Sequence, residues 1–161
     1  MDHPAQITDT RPALECLAYE LAASERLRAF VADIAGTSAR VSEPLLPLVL
    51  AAVWFGSTPR RGLVCLLPDD GDARNIAEAA GWFLGAGNVG LLPSRGVRLG
   101  SGLEPPPHLV GERARALEVF AEGGLVCASA LGLAEGLPPA GERARTITVA
   151  LGEEPGVDGL A

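Results

Sequence analysis

The chain has 161 residues and a formal net charge of -7, long enough for one domain with a true core. With 48% hydrophobic and 20% charged residues, the composition is that of a globular protein and excludes a disordered one. All 13 basic residues are arginine, so the phosphate-loop motif GxxxxGK[ST] cannot be written and P-loop ATP chemistry is excluded; the acid excess also disfavours stand-alone duplex binding.

Residues 1–12 lack periodicity and read as a loose tail. From Ala13 to Ile34 the apolar positions Leu14, Leu17, Leu21, Leu27, Val31 and Ile34 recur at helical spacing, in one helix or in two if Ser24 opens a second. Gly36 ends this segment. The run from Pro44 to Phe55 predicts a helix that is apolar all round and therefore buried, with both its prolines in the first turn.

An alternation of short apolar runs and helical segments follows. Leu63 to Leu67 predicts a buried parallel strand, Asp72 to Leu84 a helix, and Asn88 to Leu92 a second strand. Ser94 to Pro107 is rich in Gly and Pro and reads as a loop. His108 to Glu122 is helical, with Leu109, Ala116, Leu117 and Phe120 on one face. Leu125 to Ala128, Leu131 to Glu135 and Thr146 to Leu151 complete the set as strand, short helix and fourth strand. The expected architecture is α/β, a mainly parallel sheet with helices on both faces. Its expected extent is 13–145, with 146–161 the final strand and the start of a next domain.

Cys16, Cys65 and Cys127 show no CxxC spacing, and the last two sit in apolar runs, so reduced core thiols are expected. The apolar runs fall short of a bilayer span and no leader is apparent, so a cytoplasmic protein without membrane contact is expected.

Most candidate chemistry fails on context. Gly85-Ala86-Gly87-Asn88-Val89-Gly90 matches GxGxxG, but it follows a helix and leads into a strand, the inverse of what a dinucleotide site needs. His108 reads as a surface residue at a helix start, and Ser129 lacks the GxSxG elbow and reads as a helix cap. Asp69 and Asp70 follow the first strand, where α/β sheets place ligand groups, yet Pro68-Asp69-Asp70-Gly71-Asp72 also makes an ordinary turn and cap. No catalytic residue, cofactor or metal site is assigned. Arg95, Arg98, Arg113 and Arg115 are the candidate contacts for a phosphate or an acidic partner surface; the bland alternative is a solvated helix face paired with Glu112 and Glu118.

The order of these pieces resembles a known family. Arg61-Gly62-Leu63-Val64-Cys65-Leu66-Leu67-Pro68-Asp69, a helix containing Ala73, and Val89-Gly90-Leu91-Leu92-Pro93 resemble the N-terminal module of bacterial transcription-repair coupling factors, shared with the B subunit of the excision nuclease. Glu112-Arg113 through Ala116-Leu117, Gly124 to Leu131, Leu137-Pro138 and Thr146 to Leu151 continue in family order, so the resemblance covers about Ala22 to Asp158. It implies a helicase-like fold with a degenerate nucleotide site, at the glycine-free segment Ser42 to Leu46. It implies partners too: the excision nuclease, other domains of the same factor, and RNA polymerase and DNA only through domains further along. Two departures stand out. The loop after the second strand reads Pro93-Ser94-Arg95-Gly96-Val97-Arg98, where the family carries aromatic and acidic residues, and the family's second domain would begin near Ala161.

The expectation is therefore a non-catalytic module of a coupling factor, here as an excised first domain. Two alternatives stand beside it. One is a small α/β enzyme using Asp69, Asp70, Glu104 or His108; the other is a free-standing decoy that competes for the complete factor's partners.

Overall fold

The computed structural model describes residues 12–57, 61–98, 100–139 and 152. The first two helices are α1 (Ala13–Ala23) and α2 (Glu25–Ala32). Ser24 separates them because its backbone is extended and its hydroxyl accepts from the Leu27 amide, capping α2. A 3₁₀ turn (Glu43–Leu45) leads into α3 (Leu46–Gly56), with Pro47 in the first turn, where a missing amide costs no intrahelical bond. The expected helix thus opens as a 3₁₀ turn and becomes α-helical at Leu46. It is not buried all round: Leu45 is exposed, while Pro47, Ala51, Ala52, Val53 and Trp54 are buried.

Three strands and three helices follow: β1 (Leu63–Leu67), α4 (Asp70–Leu84), β2 (Val89–Leu92), α5 (Pro107–Ala121), β3 (Leu125–Ser129) and α6 (Ala130–Ala134). The strands form one parallel sheet in the order β1-β3-β2, with Cys65 opposite Cys127 and Gly90 opposite Val126. Leu63, Cys65 and Leu67 of β1, with Leu125, Cys127, Val89 and Leu91, face a core filled by α1, α3 and α4. Leu92, Val126 and Ala128 point the other way and pack on Ala116 and Val119 of α5. Right-handed crossovers running in opposite directions across the sheet require α4 and α5 to lie on opposite faces in this way.

Close approach fixes particular residues. A Cβ on Gly90 would stand 2.8 Å from the Ala116 Cα, so β2 and α5 meet at a distance only glycine permits. The Trp54 indole N–H, buried on α3, donates to the Gly123 carbonyl at 2.7 Å and ties α3 to the α5–β3 turn. Gly85, at a φ of 80°, ends α4 in a conformation that side chains resist. The GxGxxG stretch is thus a helix stop, a 3₁₀ turn (Ala86–Asn88) and the entry to β2, as its inverted context implies.

One expectation about the sheet is corrected. β1 was read as fully buried, but Val64 is 51% and Leu66 57% exposed. Among the described residues β1 is an edge strand, and α5 covers only β2 and β3 on that face. The expected strand from Thr146 to Leu151 lies outside the described residues, as do residues 1–11 of the tail. No helix among the described residues is long and apolar enough to cross a membrane.

Candidate functional site

The C-terminal ends of the strands are where α/β proteins usually bind ligands, and here their polar groups are turned on one another. Asp69 caps α4 by accepting from the Asp72 amide at 2.9 Å. Asp70 reaches across to the loop after β2, where its carboxylate accepts the Ser94 amide at 2.9 Å and the Ser94 hydroxyl at 2.5 Å. Partial burial opposes ionisation of Asp70, but hydrogen bonds from Ser129 and Ser94 outweigh it and hold the carboxyl below its ordinary range. A carboxylate so stabilised is a poor proton acceptor at neutral pH. Ser129 caps α6 through the Gly132 amide at 2.9 Å, as its sequence context suggests.

Arg113 was a candidate contact for a phosphate or an acidic surface, with a solvated helix face as the alternative, and the structure corrects the solvated reading. It is 9% exposed and points inward from α5. Its guanidinium donates to the carbonyls of Pro93 (2.5 Å), Gly132 (2.9 Å) and Gly136 (2.8 Å), and lies 3.9 Å from the buried Glu135 carboxylate. Glu135 in turn accepts the Arg95 amide at 2.6 Å. Burial pulls the Arg113 pKa down while the Glu135 charge pulls it up. The side chain is a staple between the loop after β2, α6 and the segment beyond, with three of its five N–H donors on backbone carbonyls.

The four arginines therefore do not form one patch. Arg95 and Arg98 line a depression of about 80 Å³ beside Glu135, well below the several hundred Å³ of a usual small-molecule site. Arg113 is inside, and Arg115 lies on another side of the molecule. The expected pairing of Arg113 or Arg115 with Glu112 is absent too: Glu112 instead holds Arg74 of α4 in a two-pronged contact of 3.0 and 3.1 Å.

Three larger concavities remain among the described residues. The smallest, of about 240 Å³, is lined by Arg95, Arg113, Val110, Leu117 and Leu137. Two exceed it. One, of about 820 Å³, is an apolar cleft between α2, α3 and β1, walled by Phe30, Leu46, Leu50 and Leu63. The other, of about 610 Å³, runs along the outer edge of β2 between α4 and α5. Its floor is Val89, Gly90 and Leu91, its α4 wall Ala77, Glu78, Gly81 and Trp82, and its α5 wall Glu112 and Arg115. Asp69, Asp70, Glu104 and His108 line none of these cavities, nor the smaller depression beside Glu135.

The cysteines do not build a site. Cys127 is fully buried and Cys65 half-buried. The neighbouring Cys65 thiol, together with burial, pushes the Cys127 pKa far up, while the Cys127 thiol lowers that of Cys65.

Two features of the β2 groove escaped the sequence reading. Trp82 is 74% exposed, and α4 had signalled it: Ala73, Ala80 and Leu84 define the buried stripe, and residue 82 falls outside it. The Arg74–Glu112 bridge spans 38 residues and left no local signal. Comparison with protein-family models, with curated proteins and with solved structures finds no match.

Proposed function

We propose that the chain is a non-catalytic N-terminal module of a transcription-repair coupling factor, cytoplasmic and acting in nucleotide excision repair through contacts with other proteins. The observation that carries this reading is the start of α3, where a working relative would bind phosphate. Phosphate loops offer a row of backbone amides and a lysine to the anion. Here Pro44 and Pro47 remove two amides, Glu43 adds a carboxylate in the 3₁₀ turn, and the chain has no lysine.

The reading is supported by the order of the pieces and by how the polar groups at the strand ends are spent. Asp70, Ser94, Ser129, Arg113 and Glu135 hold loops together. Work is then left to surfaces, and the module's partners would be the excision nuclease and other domains of the same factor. RNA polymerase and DNA would be engaged through further domains. The small-enzyme reading is weaker because Asp70 is engaged and none of the cavities described gathers Asp69, Asp70, Glu104 and His108.

Thermal unfolding with and without Mg-ATP tests the degenerate site. A ligand at about 100-fold its Kd would stabilise the fold by ~2.7 kcal/mol, or roughly 8 °C in Tm for a chain of this size. The expected shift is none. A clear rise would overturn the proposal that nucleotide binding is lost.

A further inference from the structure

We propose that the groove along β2 is a docking site for an extended peptide segment, which adds to the sheet as a strand and presents acidic side chains to Arg115 and apolar ones to Trp82. The inference stands on the groove itself and does not depend on the coupling-factor reading.

The floor decides the shape of the occupant. Among the described residues β2 pairs only with β3, and none of them pairs as a strand with its outer edge. Such an edge is complemented by another extended chain and not by a helix. The walls decide its breadth. α4 and α5 flank the edge on opposite faces, and the Arg74–Glu112 bridge joins them at the C-terminal end of β2. Walls on both faces leave open the plane of the sheet, the direction in which a strand adds. A second copy of this chain would have to bring its own flanking helices against them.

The chemistry of the walls decides the side chains. Successive residues of an added strand point to opposite faces, alternately toward α4 and α5. The α4 side is largely apolar and low, with Ala77, Gly81 and Trp82; a Cβ on Gly81 would meet nothing closer than the Ala86 Cα, at 3.8 Å. On the α5 side Glu112 is neutralised by Arg74, whereas Arg115 has no hydrogen-bond or ion-pair partner among the described residues. The remaining carboxylate, Glu78, stands on the α4 wall, where it disfavours an acidic residue. The fitting segment therefore alternates apolar residues toward α4 with acidic residues toward α5.

The test uses the 161-residue chain and two end-blocked heptapeptides, one alternating Val with Asp and one alternating Val with Arg. Trp82 supplies the signal, since Trp54 is buried and Trp82 is the chain's other tryptophan. The Val-Asp peptide is expected to shift Trp82 emission to the blue and to bind at least tenfold more tightly than the Val-Arg peptide. Arg115→Glu should reverse that order. Gly81→Leu, which fills the groove from a position where a Cβ meets no clash, should abolish binding with the circular dichroism spectrum unchanged. N-methylation of alternate peptide amides should block binding in one of the two registers and spare it in the other. Absence of binding at millimolar peptide, equal affinity for both peptides, or indifference to both sets of N-methyl groups would overturn the proposal. So would a concentration-dependent doubling of mass that shifts Trp82 without peptide, which would give the groove to a second copy.

Discussion

Replacing Arg113 by Met removes the guanidinium and keeps most of the apolar stem, so it isolates the staple that closes the C-terminal end of the sheet. The substitution strands the carbonyls of Pro93, Gly132 and Gly136, and leaves the buried Glu135 carboxylate with the Arg95 amide but no cation. Net hydrogen bonds from a charged donor contribute about 1.5–3 kcal/mol each, and breaking one side of a buried ion pair costs about 3–5 kcal/mol. These effects overlap, because the loops relax and water reaches some of the carbonyls, so a loss of about 4 kcal/mol is expected. That is a large part of a total stability on the order of 10 kcal/mol, and it corresponds to a fall in Tm of about 12 °C. Urea unfolding followed by circular dichroism should show a lower midpoint with an unchanged slope. Glu135→Gln added to Arg113→Met should recover about 1–2 kcal/mol, since it removes the stranded charge. A loss below about 1 kcal/mol, or strict additivity in the double mutant, would refute the assignment of Arg113 as a buried staple.

Two further predictions come from the same structure. Gly90→Ala should cost about 1–3 kcal/mol, because its Cβ meets the Ala116 Cα at 2.8 Å. Gly81→Ala, whose Cβ would meet only the Ala86 Cα in ordinary contact at 3.8 Å on a helical backbone, should instead gain about 0.5–1 kcal/mol; urea midpoints moving the same way in both variants would contradict the packing described for β2 and α4. Asp70 has a folded-state pKa below its unfolded value, so the stability it contributes is present above the unfolded pKa of ~3.9 and is lost as the pH falls through the folded one. Asp70→Asn should therefore lose less stability than the parent between neutral pH and pH ~3, and equal losses in the two proteins would contradict the Ser94 and Ser129 contacts.

The alternation of elements was legible because each helix carries its own periodicity and each strand its own short apolar run. Ser24, Asp69 and Ser129 were readable as caps for the same reason: the chemistry of a cap lies within three residues. Position within the sheet was not legible. Leu63 to Leu67 is as apolar as a central strand, and only the tertiary order β1-β3-β2 makes it an edge among the described residues, with Val64 and Leu66 in solvent. Arg113 was misread although its position carried a signal: it lies four residues after Leu109 and three and four before Ala116 and Leu117, within the apolar stripe of α5. A charge on such a stripe implies a buried partner, and that partner, Glu135, lies 22 residues away in sequence. The β2 groove belongs to the same class of feature, since its walls come from helices separated by a strand and a long loop.

The central claim is that this chain works as the first module of a larger repair-coupling protein. The most direct measurement is the size of the native polypeptide, by immunoblot of source cells with an antibody raised against residues 12–139. A single band far larger than the 16.6 kDa of the present chain is the predicted result. A band at 16.6 kDa would contradict it, and would put the free-standing decoy and the small enzyme ahead of the coupling factor.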